Sequence, residues 1–176
     1  MGEALSAEQA PPPHSRRLMM DPATAPALSF TAIESKRKFN LSNVDRKTVL
    51  MLVSQESSGS IDPVIAEIRD AYANISEVQI ANVVDLRKTP RVLRKVAGTL
   101  MSHRYKESAK NLPSGRDAAE WIIILPDWEG KLIKALGIDD VSQEMAIAVV
   151  APGGKLLGIY HGPDPAVAAI EMLARA

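Results

Sequence analysis

The chain has 176 residues, 46% of them hydrophobic and 24% charged, which is enough apolar material for one well-buried domain. Its 21 basic and 21 acidic residues cancel, so no overall charge draws the protein to nucleic acid or to a membrane. Because the sequence contains no cysteine, it excludes a disulfide, a thiolate nucleophile, a cysteine-ligated zinc ion and an iron–sulfur cluster.

Residues 1–26 are predicted to form a flexible tail. This segment contains five prolines and few large apolar side chains, too few to offset the entropy lost on ordering. Arg16-Arg17 is followed by only three apolar residues, which is too short for the hydrophobic core of an export signal. Since no stretch reaches 18 consecutive apolar residues, no membrane span and a cytoplasmic location are predicted.

Residues 27–176 are predicted to form one domain in which strands and helices alternate. Leu28–Ile33 and Lys38–Leu41 read as the two strands of a hairpin, because apolar and polar residues alternate around a polar turn. The continuous apolar run at Thr48–Val53 predicts a strand covered on both faces. Ile61–Ala73 has the spacing of an amphipathic helix.

A long helix is predicted between strands at Val78–Val84 and Trp121–Leu125. It begins near Thr89-Pro90, and its apolar residues recur at three- and four-residue spacing. We expect them to form one buried stripe, made of Val92, Leu93, Val96, Ala97, Leu100, Met101 and Tyr105.

The last third of the chain predicts a short helix, a hairpin and a final helix. The short helix covers Lys131–Leu136. Met145–Val150 and Lys155–Tyr160 flank a Pro-Gly-Gly turn, and the last helix follows Asp164-Pro165. Strands that alternate with helices pair in parallel, and the closing hairpin adds antiparallel strands. The sequence therefore predicts an α/β fold with a mixed sheet and helices on both faces.

Two segments resemble the thioredoxin-like superfamily, which includes the redoxins and peroxiredoxins. Trp121–Ile138 resembles the family's strand, aspartate-containing turn and short helix. Ala146–Gly162 resembles the hairpin that precedes the family's last helix. The similarity of order and spacing covers about residues 28–175. It implies a thioredoxin-like mixed β-sheet flanked by helices, with an N-terminal β-hairpin and a disordered leader.

The resemblance also implies a place for the family's reactive cysteine, between the first core strand and the next helix. This chain has Ser57-Ser58-Gly59-Ser60 there, and Ser57 and Ser60 have the spacing of a Cys-x-x-Cys pair, although a shift of one residue would put Ser58 first. A serine hydroxyl is far less acidic than a thiol. The segment that corresponds to the family's cis-proline, Val141–Ala146, contains no proline. We therefore expect neither thiol–disulfide oxidoreductase nor peroxidase activity.

The serine loop leaves an alternative function open, as an anion site or in a cysteine-independent enzyme. Backbone N–H groups at the start of a helix attract anions, but the loop lacks the lysine of a P-loop. A serine nucleophile needs a base, and the only histidines are His14, His103 and His161. A polar capped turn explains the same residues more simply, so no catalytic residue is assigned.

Carboxylates follow several predicted strands and helices. Acidic side chains at such ends are potential ligands for a divalent cation, but the spacing here is not that of a known site. We interpret them as solvated loop acids, and predict no metal and no cofactor; they are Asp85, Asp127, Asp139, Asp140 and Glu144.

The segment Lys88–Lys110 has the clearest charge asymmetry, with seven basic residues against one acidic residue. Most of the basic residues lie opposite the predicted stripe. Trp128, in a Pro-Asp-Trp-Glu-Gly turn, is a further candidate anchor for a partner. We predict a non-catalytic subunit that binds another protein or complex with an acidic surface, or helps to assemble it. A nucleic-acid contact through helix 88–110 is a weaker alternative, because no aromatic residues interleave for base stacking. The candidate partner-binding residues are Arg91, Arg94, Lys95, Arg104, Lys106 and Trp128.

Overall fold

A computed structural model describes residues 23–176 and the backbone of residues 16–18. The described residues form nine strands: β1 (Arg16–Leu18), β2 (Ala23–Thr24), β3 (Ser29–Thr31), β4 (Lys38–Asn40), β5 (Lys47–Val53), β6 (Val78–Asp85), β7 (Ile123–Asp127), β8 (Ala146–Ala151) and β9 (Lys155–His161). They also form five α-helices: α1 (Ile61–Ala71), α2 (Arg94–Lys110), α3 (Ala118–Trp121), α4 (Lys131–Ala135) and α5 (Pro165–Ala174). Single turns of 3-10 helix lie at Leu41–Asn43, Ser58–Ser60, Arg91–Leu93 and Pro152–Gly154.

Seven strands form the main sheet, in the order β1-β9-β8-β5-β6-β7 with β2 beside β9. β5 pairs in parallel with β6, and β6 with β7, whereas β8 is antiparallel to β5 and β9 is antiparallel to β8. Parallel neighbours need crossover connections. Here α1 connects β5 to β6, and α2 with α3 connects β6 to β7. The predicted mixed sheet is confirmed.

Both faces of the sheet are covered. Successive side chains of a strand point to opposite faces. Accordingly, Val49 and Met51 of β5 pack in one core cluster with residues of α1 and α5. Leu50 and Leu52 pack in the other, with α4 and the β3–β4 hairpin. These four residues are almost fully buried, which is what the continuous apolar run predicts.

The predicted N-terminal hairpin is confirmed. β3 and β4 pair antiparallel, with Phe30 opposite Phe39, and Phe39 is buried in the core. Beyond β3, the Ile33 N–H donates to the carbonyl oxygen of Ile124 at 2.9 Å. The hairpin therefore approaches the outer edge of β7, the last strand on that side of the main sheet. Such cover protects an edge strand from pairing with other chains.

The predicted tail, residues 1–26, lies largely outside the described residues. In its described part, the backbones of β1 and β2 pair antiparallel with β9. The Ala25 N–H donates to the Gly154 carbonyl at 2.7 Å, and Ala25 is buried. The packed part of the chain therefore includes residues that precede the predicted boundary at residue 27.

One predicted strand begins later than expected. Trp121 is the last residue of α3, and β7 starts at Ile123. The Asp117 carboxylate accepts a hydrogen bond from the Ala119 N–H at 3.0 Å and so caps α3. This local bond outweighs the preference of an aromatic side chain for a strand.

The buried stripe predicted for α2 is wrong for four of its seven residues. Ala97, Met101 and Tyr105 pack against the sheet, over β6 and β7. The other four are exposed, because the apolar residues cover roughly 200° of the helix circumference at 100° per residue, more than one sheet contact buries. Two of the four residues lie in the 3-10 turn that precedes α2 and two in α2 itself, and we call all four the α2 outer face: Val92 (85% exposed), Leu93 (49%), Val96 (55%) and Leu100 (56%).

Candidate functional site

The serine loop lies between the end of β5 and the start of α1, and its polar groups bond to one another. The Ser54 N–H donates to Ser57 Oγ at 3.0 Å, and Ser57 is buried. The Ser58 hydroxyl donates to the Gln55 carbonyl at 2.8 Å, and the Ser60 hydroxyl to the Ser57 carbonyl at 2.8 Å. The loop therefore folds as a self-bonded polar turn, although neither Ser57 nor Ser60 caps the following helix with its side chain.

An acidic side chain also belongs to this turn. The Ser54 hydroxyl donates to Glu56 Oε2 at 2.6 Å. This bond lowers the pKa of Glu56 from its ordinary value because it stabilises the charged carboxylate. A negative charge beside the loop opposes the binding of an anion at the start of α1.

No histidine takes part in the hydrogen bonds of the serine loop in the described part of the chain. His161 lies on β9, where its Nε2 is 3.2 Å from the Glu144 carbonyl oxygen. His103 is exposed on α2, and His14 lies outside the described residues. A serine nucleophile needs a base within hydrogen-bond reach. The loop geometry gives Ser57 and Ser58 no such partner.

Ser57 is expected to stabilise the fold, whereas Ser58 is not. Ser57→Ala removes the acceptor of the buried Ser54 N–H and should lower the free energy of unfolding by about 1 kcal/mol. Ser58→Ala removes a hydroxyl nearer the surface and should change it by less than about 0.5 kcal/mol. Urea denaturation of both variants measures the difference. Equal losses would contradict this assignment.

The late segment Val141–Ala146, where the family places a cis-proline, leads directly into β8. Val141 and Met145 are buried. Among the described residues there is no cis peptide bond. This segment therefore reaches the sheet through ordinary trans backbone.

The carboxylates considered as metal ligands have other partners or stand apart. The interpretation of Asp127 as a solvated loop acid is wrong, because it is buried and accepts two backbone N–H bonds at the start of α4. Asp85 pairs with Arg87 at 3.0 Å, and Asp140 with Lys88 at 3.5 Å. Within residues 23–176, no three metal-binding side chains cluster so as to hold an ion; Asp139 and Glu144 are exposed.

The cations of α2 and of the 3-10 turn that precedes it divide into two groups. Those in the C-terminal half of α2 pair with acidic residues: Arg104 with both oxygens of Asp62 at 2.5 and 2.6 Å, and Lys106 with Glu34 at 3.9 Å. Lys110 pairs with Glu107 at 2.7 Å. These pairs neutralise that half of the helix.

The cations at the N-terminal end of the helix have no acidic partner within salt-bridge distance among the described residues. Arg91 and Lys95 are exposed. The Arg94 guanidinium lies 5.5 Å from the centroid of the Trp128 ring, which is itself half-buried, and Arg94 Nε is buried without a hydrogen-bond partner. This end therefore concentrates the unneutralised positive charge.

The α2 outer face lies on the same stretch of chain as these free cations. The sequence predicts a basic surface here but not its exposed apolar residues, because their spacing is typical of a buried stripe. The width of the apolar arc is the signal that could have revealed them, since an arc wider than half a helix leaves part of itself in water.

No protein-family model matches the chain, and no curated protein sequence matches it. Solved structures do resemble it. A DsbF homologue from Corynebacterium diphtheriae superposes with a TM-score of 0.60 at 12% identity, over 96% of this chain and 98% of that one. The exposed lipoprotein thioredoxin of Streptococcus pneumoniae superposes with a TM-score of 0.58 at 16% identity, over 85% of this chain and 98% of that one. StoA from Bacillus subtilis superposes with a TM-score of 0.54 at 16% identity, over 86% of this chain and 97% of that one.

In the described part of the chain, no helix is both long and apolar enough to cross a bilayer.

Proposed function

Because the chain has a thioredoxin-like fold and contains no cysteine, we propose that it is a non-catalytic accessory or assembly subunit that binds another protein through the α2 outer face. The observation that carries this proposal is the exposure of four apolar side chains beside cations that have no acidic partner among the described residues. The redox positions hold hydroxyls, which cannot replace a thiolate. Recognition is the role that such a scaffold retains.

The α2 outer face has the composition of an interface centre. Val92 is 85% exposed, and Leu93 and Val96 are each about half exposed beside it. Covering such side chains gains about 25 cal/mol per Å² of apolar surface removed from water. Clusters of this kind with a polar rim are typical of protein-binding surfaces.

The charge around this face favours an acidic partner. Arg91 and Lys95 are free to meet carboxylates, and Arg94 with Trp128 supplies a stacked pair of the kind enriched at binding hot spots. Arg104 and Lys106 already have internal partners but are more than half exposed, so these pairs can exchange at little cost. Complementary charge speeds association and selects the partner.

Two other functions have less support. An anion site or a serine enzyme at Ser57–Ser60 is opposed by Glu56 and Asp62, and by the loop's internal bonds. A nucleic-acid contact through α2 fits the positive charge, but the α2 outer face contains no aromatic side chain on which a base could stack.

The cytoplasm remains the proposed location. The pneumococcal neighbour is an exposed lipoprotein, so the fold itself is compatible with more than one compartment. Cell fractionation with an antibody against the untagged protein tests this proposal, and recovery in the membrane or external fraction would overturn it.

A charge reversal tests the docking surface. The partner is first identified as a protein that co-purifies with the untagged chain, and is then purified. Arg91→Glu, Arg94→Glu and Lys95→Glu together should weaken its binding at least about tenfold, because attraction becomes repulsion. Calorimetry or surface plasmon resonance measures the Kd. Val92→Ser with Val96→Ser should also weaken binding, since it removes apolar area without changing charge.

The matched control reverses the same amount of charge elsewhere. Lys36→Glu, Lys38→Glu and Lys155→Glu change exposed cations on the two hairpins. This variant should bind the partner as the unmodified protein does. Equal losses in both triple variants, or none in either, would refute the α2 outer face as the docking surface. Steeply salt-dependent binding to duplex or single-stranded nucleic acid, lost on the α2 reversal, would favour the nucleic-acid alternative instead.

A further inference from the structure

A cavity of about 620 Å³ lies between α2 and the sheet. Its floor is formed by β6 and β7, and its walls by α1, α2 and the loop at 111–116. Small-molecule sites usually enclose roughly 300–1,000 Å³ and are mostly apolar. The apolar lining includes Ile65, Ile80, Leu100, Met101, Ile122 and Ile124.

Two arginine side chains in this lining stack on one tryptophan ring. The guanidinium carbon of Arg69 is 5.0 Å from the Trp121 ring centroid, and that of Arg116 is 4.0 Å from it. Arg69 also donates to the carbonyl oxygens of Val78 at 2.7 Å and Tyr72 at 3.3 Å. Neither arginine has a carboxylate within salt-bridge distance in the described part of the chain. Two like charges are thus held together with no acidic side chain of residues 23–176 paired to either of them.

The electrostatic cost of this arrangement is visible in Arg69. Burial, and then the positive charge of Arg116, lower the pKa of Arg69 from its ordinary value to about 10. Both effects disfavour the charged guanidinium, and a bound anion would reverse the second of them. The two neighbouring positive charges therefore favour the binding of an anion at this site.

The floor of the cavity carries one polar point. Asn82 Oδ1 is buried and has no hydrogen-bond partner. A buried acceptor without a donor costs about 1–3 kcal/mol in a folded protein. The lining also contains Asp62, which is paired with Arg104, and residues of the serine loop, so it holds polar groups besides the two stacked arginines.

We propose that this cavity binds a monoanionic carboxylate with an apolar chain, the carboxylate lying beside Arg69 and Arg116 and the chain lying between α2 and the β6–β7 floor. Arginine binds a carboxylate through two parallel hydrogen bonds, which suits the planar head group. The apolar walls accept the chain, and the carboxylate lies towards the surface beside the exposed Arg116. Since Leu100 belongs both to the lining and to the exposed face of α2, the cavity opens to the surface.

The test compares three probes that share one chain. Decanoate, decan-1-ol and decylammonium are titrated into the full-length protein by calorimetry, below their aggregation concentrations. Decanoate should bind with a Kd at least tenfold lower than decan-1-ol, and decylammonium should not bind. Arg116→Gln should raise the Kd for decanoate at least tenfold and leave the Kd for decan-1-ol unchanged. Arg116 is exposed, so this variant should keep the fold.

Three further variants complete the experiment. Arg116→Lys keeps the charge and should retain most of the affinity for decanoate. Lys155→Gln removes a remote cation and should have no effect. Ala97→Phe places a ring in the cavity and should abolish binding of decanoate and decan-1-ol alike, with an unchanged circular dichroism spectrum. Equal affinity for all three probes, no binding of decanoate, or an unchanged Kd in Arg116→Gln would overturn the proposal, whatever the outcome at the α2 outer face.

Discussion

Replacing Gly154 by alanine is expected to lower the free energy of unfolding by about 3–4 kcal/mol or more. Gly154 has φ +85°, a conformation that costs a residue with a Cβ about 1–2 kcal/mol. An added Cβ would also lie 2.4 Å from the carbonyl oxygen of Ser42. Because that oxygen belongs to the backbone, it cannot move away as a flexible side chain can. Thermal or urea unfolding followed by circular dichroism measures the loss.

Gly153 is the matched control for this substitution. It precedes Gly154 in the same turn and has φ +78°, but an added Cβ would meet nothing within 4 Å. Gly153→Ala should therefore cost only about 1–2 kcal/mol, for the backbone conformation alone. The difference between the two variants isolates the contact with Ser42. Equal losses would show that this contact is softer than the structure indicates.

The turn illustrates which part of the fold the sequence predicts. Pro152-Gly153-Gly154 indicates a tight turn by residue type alone, because proline fixes one backbone angle and glycine permits positive φ. The sequence gives no sign that Ser42, more than a hundred residues earlier, packs against it, or that Ala25 donates to the Gly154 carbonyl. Local chemistry predicts local geometry, and the packing partner depends on the whole topology.

The order of strands and helices could be predicted for a related reason. The core strands and the helices α1 and α5 bury enough apolar surface to leave a periodic pattern, and short connections limit how consecutive elements pair. The short helix α3 has no buried residue, and the sequence does not indicate it. The buried run at Thr48–Val53 indicated the central strand β5 correctly. Trp121 was placed in the wrong element because the Asp117 cap is one side-chain bond, which composition does not reveal.

The candidate sites were harder to predict because they depend on what the sheet leaves uncovered. The pattern of α2 does not say which half of a wide apolar arc faces the core, so Val92 and Val96 were assigned to it. Similarly, Arg69 and Arg116 are 47 positions apart in the printed sequence, and only the position of Trp121 brings them to one ring. Neither arginine belongs to a charged run or a motif. A cluster whose residues come from separate elements produces no pattern in any single stretch of the sequence.

Replacing Asp127 by alanine is expected to lower the free energy of unfolding by about 3 kcal/mol. Asp127 ends β7 and is buried, and its two oxygens accept the N–H groups of Lys131 and Leu132, each at 2.9 Å. These donors begin α4 and have no partner within the helix. Since the Leu132 N–H is buried, no water replaces the lost carboxylate, and the whole desolvation cost remains. Urea denaturation measures the change.

Two other substitutions separate capping from burial at this position. Asp127→Asn keeps one acceptor oxygen but turns an NH2 group towards the second N–H, so its loss should fall between zero and that of alanine. Asp117→Ala removes an exposed cap that accepts a single N–H bond at 3.0 Å, and should cost about 1 kcal/mol or less because water can take its place. If Asp127→Ala cost no more than Asp117→Ala, the buried aspartate would not be holding α4 to the end of β7. In that case the short helix would be held by Leu132 and Ile133, its two buried core residues, alone.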